Sequence, residues 1–144
     1  MRVYINHNSL AYLDVQFTNH CLDTRHGEFY SRKACLVHSD YIRIFEKAYI
    51  NGLLSFRGKK VVITILNKQG LQVSLLCSVG TTSINVVTIK HHWKAWTHQR
   101  IDFIRERNRI NLFDVDFNLT THEQSKIETQ RSELFKFTNR KKYV

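Results

Sequence analysis

Three apolar, β-branched runs dominate the middle of the chain, over residues 61–66, 71–79 and 84–89. Between them stand Asn67-Lys68-Gln69-Gly70 and Gly80-Thr81-Thr82-Ser83, the residues of tight turns. Connections this short can join only antiparallel neighbours, because a parallel crossover needs about a dozen residues or more. The pattern therefore predicts an antiparallel meander over residues 60–90. In its first run Val61, Ile63 and Ile65 alternate with Val62, Thr64 and Leu66, so both faces are largely apolar and the strand is expected to be interior and covered.

Outside the meander the pattern is mixed. Residues 2–5 and 10–17 alternate well enough for two short strands, the second with Leu13, Val15 and Phe17 on one face. Residues 18–28 read as a loop ending at Gly27, and residues 29–37 as a strand or the lead-in to a helix. Residues 39–54 predict an amphipathic helix: Ser39 suits the N-cap, Asp40 the positive end of the dipole, and Ile42, Phe45, Tyr49 and Leu53 recur at helical spacing. Gly52 and Gly58 supply the stop. A second helix is expected over 93–108, with Trp93, Trp96, Phe103 and Ile104 on a buried side and Lys94, His98, Asp102, Arg105 and Arg109 on another. Residues 112–119 alternate again as an edge strand. Thr121, with Gln124 three residues on, opens a sparsely apolar last helix, and 139–144 form a basic tail expected to fray. The fold expected is α+β: an antiparallel sheet of three to five strands packed against two or three helices.

Composition narrows the class. A chain of 144 residues, 42% hydrophobic, is the size of one domain and needs no disulfide staples. No apolar run approaches the roughly 18 residues of a membrane span, and no leader is evident, so no membrane partner and a cytoplasmic location are expected. The three cysteines, Cys21, Cys35 and Cys77, form no CxxC pair and read as reduced thiols, with Cys77 a core residue of its strand. Lys and Arg number 22 against 12 Asp and Glu, a net charge of +10. Such an excess, concentrated in segments, favours a polyanion partner, and nucleic acid is the commonest.

Motifs for nucleotide cradling, serine hydrolysis and zinc proteolysis are absent, and no cofactor is implied. Carboxylates for two-metal nuclease chemistry are thin: Asp114 and Asp116, with Asp102 and Glu106 nearby. Cys21, His26, Cys35 and His38 have the ligand types of a structural zinc site without its usual spacing. Histidine is plentiful, eight residues in all. A metal-free ribonuclease needs a base for the 2′-hydroxyl, a cation for the phosphorane and an acid for the leaving oxygen, which His, Arg and Lys can supply. The candidates for catalysis are His38, Arg43, His91 and His92. The candidates for holding nucleic acid are Arg57, Lys59, Lys60, Lys90, Lys94, His98, Arg100 and Arg105. Each alone is more often a solvated surface residue. Trp93 and Trp96 could stack bases beside these cations, although two Trp at that spacing are more often core.

The order of pieces, His38-Ser39-Asp40-Tyr41-Ile42-Arg43, then Lys60-Val61-Val62-Ile63, then Val86-Val87-Thr88-Ile89-Lys90-His91, resembles the RelE-like and phage RegB-like small endoribonucleases in topology over residues 36–92. That resemblance implies metal-independent cleavage of RNA on a basic sheet face. The second reading, from another class, is a non-enzymatic module that binds nucleic acid or a host protein with the same surface.

Overall fold

The computed structural model describes residues 1–5, 11–24, 31–67, 71–81, 83–93, 105–113 and 115–117, with 71 and 91–93 described by backbone alone. Six strands, β1 (Arg2–Tyr4), β2 (Tyr12–Phe17), β3 (Lys60–Leu66), β4 (Leu71–Val79), β5 (Ser83–Trp93) and β6 (Arg109–Leu112), form one sheet in the order β1-β2-β5-β4-β3-β6. The sheet curls as a half-barrel. Its helices are α1 (Asn19–Leu22), a single turn, and α2 (His38–Ile50), with 3₁₀ turns at Lys33–Cys35 and Leu53–Phe56.

The meander forms as its turns require, with β3, β4 and β5 antiparallel in sequence order. At the β4–β5 hairpin the Gly80 amide donates to the Ser83 carbonyl, and a Cβ at Gly80 would stand 2.6 Å from the Ser83 hydroxyl oxygen. Beyond the meander the expected all-antiparallel sheet of three to five strands is corrected. The sheet has six strands and is mixed: β2 lies parallel to β5, and β6 lies parallel to β3. The physical reason is that these partners are far apart in sequence, β2 ending at Phe17 and β5 starting at Ser83, β3 ending at Leu66 and β6 starting at Arg109. Long connections leave strand direction free, and only short ones force antiparallel pairing.

The helix expectation is corrected too. Among the described residues only α2 lies across the sheet as the expected layer. The helix expected over 93–108 does not reach those bounds: Trp93 closes β5, residues 94–104 lie outside the described residues, Arg105 is helical, and Asn108 leads directly into β6. The edge strand expected at 112–119 sits earlier, at Arg109–Leu112. The helix expected from Thr121 and the tail at 139–144 lie outside the described residues.

α2 begins at His38, one residue before the expected cap, and Ser39 lies exposed within its first turn. Its fully buried positions are Asp40, Tyr41, Ile44, Phe45 and Ala48, with Ile42 and Tyr49 at the margin of the core. Gly52 then takes φ +88°, a left-handed conformation that suits glycine, and its amide bonds the Tyr49 carbonyl to end the helix. Beneath α2 the sheet presents Leu13, Val15, Val61, Ile63, Ile65, Val73, Leu75, Cys77, Ile84, Val86 and Ile89, continued by Ile110 and Leu112 of β6. The opposite face of the meander is also closed to solvent: Val62 and Leu76 pack together with Val87, and Thr64 and Ser74 satisfy each other by a 3.2 Å hydroxyl bond. The expectation of a covered first strand in the meander is met on both faces.

One irregularity keeps the two faces apart. Leu76 pairs with Thr88 while Cys77 pairs with Val86, so Val87 is an extra residue, a β-bulge. Without it the alternation that buries Ile84 and Val86 would carry Thr88 and Lys90 into the core and turn Ile89 out. The carbonyls at the bulge are claimed by the segment that follows β2: the Thr18 amide and the Cys21 thiol donate to Val86 O, and the Thr18 hydroxyl donates to Val87 O at 2.8 Å. Truncating Phe45 to Ala removes a fully buried ring at the α2–sheet contact. It should cost about 3–5 kcal/mol in urea denaturation, whereas Ile50→Ala on the exposed end of the helix should stay within about 0.5 kcal/mol.

Candidate nucleic-acid interface

The parallel pairing of β3 with β6 brings two basic segments of the chain to one end of the sheet. The first is the turn into β3, carrying Arg57, Lys59 and Lys60. It is held by the Gly58 amide donating to Val79 O and the Val79 amide donating to Lys59 O. The second is the approach to β6, carrying Arg105, Arg107 and Arg109. Asn108 fastens it: its side-chain amide donates to Lys60 O at 3.0 Å, and its carbonyl accepts the Val62 amide at 2.9 Å. All six cations are exposed. Glu106 is the one acid in residues 57–60 and 105–109, and its carboxylate accepts the Asn108 amide at 3.0 Å.

Of the expected binding residues, Arg57, Lys59, Lys60 and Arg105 thus come together. Lys90 does not join them. It pairs with Ser74, which pairs with Thr64, four residues along β3 from Lys60, or about 13 Å at strand rise. Lys94, His98 and Arg100 lie outside the described residues, as does Trp96. Arg107 and Arg109 were missed as binding residues. Their signal is the alternation Arg105-Glu106-Arg107-Asn108-Arg109-Ile110, a period of two that a helical reading of 93–108 hides.

The four candidate catalytic residues are spread differently. His38 is exposed at the start of α2. Arg43 is five residues on, about 140° around the helix, so the two side chains leave it in different directions. Arg43 binds Asp40, whose side chain is 3% exposed, and also donates to the Asp116 carbonyl at 3.3 Å, tying α2 to the segment after β6. Asp40 Oδ2 is buried and takes no hydrogen bond, which makes the guanidinium its main compensation. His91 and His92 occupy consecutive positions of β5, in register with Val73 and Gln72. Gln72 in turn pairs with Leu66, the far end of β3, six residues from Lys60 and thus roughly 20 Å from the basic end.

The thiols are buried. Cys21 donates to Val86 O, Cys35 lies 4.0 Å from the Tyr41 hydroxyl, and all three cysteines are free. Burial pushes the Cys77 and Cys21 thiols up from their ordinary range, and it does the same, more strongly, to the Tyr41 hydroxyl, which donates to Lys33 O. None of these groups is prepared to ionise as a nucleophile. With His26 outside the described residues, the zinc set is represented by two core thiols and a surface imidazole. Among the described residues no group of three His, Cys, Asp or Glu could hold a metal ion. Of the weighed nuclease carboxylates, Asp116 is exposed and Glu106 is engaged with Asn108, while Asp102 and Asp114 lie outside the described residues.

Comparison with protein-family models, with characterised proteins and with solved structures finds no match. No described helix is long and apolar enough to cross a membrane.

Two outcomes follow from these placements. Arg43→Met should destabilise the fold by roughly 1–2 kcal/mol, below the cost of breaking a fully buried pair because the guanidinium is half in water, and Asp40→Asn in the same chain should recover part of it. A variant of normal stability in chemical denaturation would instead free Arg43 for another task. Because Cys21, Cys77 and Tyr41 hold their protons more tightly folded than unfolded, their contribution to stability should be complete below about pH 8 and fall as pH rises through about 8 to 11, where the unfolded chain ionises first. Thermal melting across that range measures it.

Proposed function

We propose that the protein binds nucleic acid, RNA foremost, through the cationic end of the sheet where β3 and β6 start. The observation that supports this reading is the convergence of Arg57, Lys59 and Lys60 with Arg105, Arg107 and Arg109, two segments about fifty residues apart in sequence that Asn108 fastens side by side. Clustering exposed like charge is unfavourable for the free protein and is relieved when phosphates replace the counterions. Arg offers a planar fork to phosphate oxygens and Lys a mobile point charge, so the cluster suits the backbone of the polymer more than the edges of its bases. The protein acts in the cytoplasm, where free thiols stay reduced.

Cleavage in the manner of the RelE-like and RegB-like enzymes belongs to the same proposal as its stronger form. It would need an imidazole beside the bound phosphate, and His38 is the exposed candidate among the described residues. The weaker form, binding without cleavage, needs only the cluster.

Anisotropy titrations with a labelled single-stranded RNA test the reading. Affinity should fall steeply between about 50 and 200 mM salt, and Lys59→Gln with Lys60→Gln should reduce the log–log salt slope by about 1.4, two phosphate contacts at roughly 0.7 each. Arg2→Gln, at the opposite edge of the sheet, should change neither. Equal binding by the double variant would sink the proposed site. Incubation of the same RNA with EDTA separates the two forms: discrete cuts lost in His38→Ala indicate metal-independent catalysis, and shifted but intact RNA indicates binding alone.

A further inference from the structure

At the end of the sheet away from the basic cluster, β1 has no strand beyond it among the described residues. Its bonds to β2 fix which of its groups are spare. The Met1 amino group donates to Val15 O, the Val15 amide donates to Met1 O and the Ile5 amide donates to Ala11 O, so the odd-numbered residues of this segment address β2. The main-chain groups of Arg2 and Tyr4 therefore turn to the open side, and no hydrogen bond claims them. Side chains alternate in the same way. Val3 is buried in the core beneath α2 with Met1 and Ile5 half-buried at its flanks, whereas Arg2 and Tyr4 stand exposed on the other face. Charge on an edge strand ordinarily deters a neighbour. Here the Arg2 guanidinium lies over the Tyr12 ring, 4.7 Å from its centroid, and Tyr4 meets the same ring edge-on at 5.9 Å, so the charge is held against the sheet face.

We propose that β1 pairs with β1 of a second copy of the chain, antiparallel about a two-fold axis at Val3, joining the two sheets into one. The register follows from the spare groups. With Arg2 of each copy opposite Tyr4 of the other, the outward amides and carbonyls of both residues exchange hydrogen bonds across the axis, and Val3 faces Val3 between them. Centring the axis on Arg2 would instead set guanidinium against guanidinium and leave Tyr4 unpaired. The same register is complementary in side chains. Val3 meets Val3 and Met1 meets Ile5 on the side of α2, while on the other face each guanidinium, already seated on Tyr12, gains the Tyr4 ring of the second copy. An unrelated strand would take the main-chain bonds without this match on both faces, which is why a second copy is the occupant. The net charge of +10 on each copy opposes association, but its clustered part, where β3 and β6 start, lies at the far end of the strand order from β1. The edge is three residues long, so the dimer is weak and reversible. None of this rests on RNA binding.

Sedimentation equilibrium of the full-length protein, over a series reaching millimolar concentration, should show a reversible monomer–dimer equilibrium. It should tighten as salt screens the net charge, the opposite of the salt response of RNA affinity. Amide hydrogen exchange at Tyr4 should slow by about fivefold or more between the dilute and the concentrated end. Tyr4→Pro removes an outward amide that β2 does not use, a change an edge strand accepts, and should weaken the dimer by about tenfold or more while urea denaturation stays near that of the unaltered chain. Tyr4→Lys sets an ammonium against a guanidinium across the axis and should weaken the dimer by about fivefold, and adding Arg2→Glu to that chain should restore it, because the register places residue 2 opposite residue 4. Lys59→Gln with Lys60→Gln should leave the dimer no weaker, which keeps this result separate from the RNA experiment. A monomer at every concentration, a dimer equally tight in Tyr4→Pro, or no rescue by Arg2→Glu overturns the proposal. So does a Tyr4 amide already protected in the dilute monomer, which would give the edge to another segment of the same chain.

Discussion

The basic end of this molecule depends on a small clasp of hydrogen bonds that starts the parallel pairing of β6 with β3. Asn108 gives its side-chain amide to Lys60 O and receives the Val62 amide on its own carbonyl, so β6 begins beside Val62, two residues into β3. From that alignment Ile110 falls beside Ile63 and Leu112 beside Ile65, extending the apolar face under α2 by one strand. The same alignment sets Arg109 beside Val62 and so brings Arg107 level with Lys60. Core closure and charge clustering are thus two results of one register, and a slip by a single residue would reverse both.

Placing six cations at one end is tolerable because all remain in solvent, where a Debye length of about 8 Å at physiological ionic strength limits their repulsion. The buried charge is handled differently. Asp40 sits in the interior of the first turn of α2, and Arg43 reaches back to it while its second bond holds the chain after β6. Arg43 is therefore a brace between helix and sheet edge, which accounts for an arginine one turn into a helix without any appeal to a substrate. On the sheet, interior hydroxyls are matched with each other, as Thr64 and Ser74 are, so the second face stays closed without stranded donors.

Much of this architecture was legible from local pattern. The meander followed from the turn residues around Gly70 and Gly80, the end of α2 from Gly52, and the interior place of β3 from its two apolar faces. What escaped was non-local. Nothing in residues 12–17 says that they lie beside 83–86 and point the same way, because partners separated by two helices and two strands carry no turn signature. The end of the expected second helix was misplaced for a different reason: Arg105 and Arg109, four apart, were taken as points on one helical stripe, whereas Arg105 is helical and Arg109 already opens β6. The phase of α2 was off by a fraction of a turn, since Tyr41 and Asp40 look like surface residues until Lys33 O and Arg43 supply their partners. At the candidate site, Arg57, Lys59, Lys60 and Arg105 could be found from charge density alone, while Arg107 and Arg109 required the register.

The bulge at Val87 carries a consequence for how this chain can vary in length. Strand polarity downstream of it is set by counting: one residue more than its neighbour needs, spent at a point where Thr18 and Cys21 hold the surplus carbonyls in place. Insertions and deletions between Val87 and Trp93 therefore act as parity operations. An odd change exchanges Ile89 with its polar neighbours across the sheet, and an even change preserves the inside and the outside. Lineages of this fold should accordingly tolerate two-residue length differences in β5 while excluding single ones, unless Thr18 and Cys21 change in step.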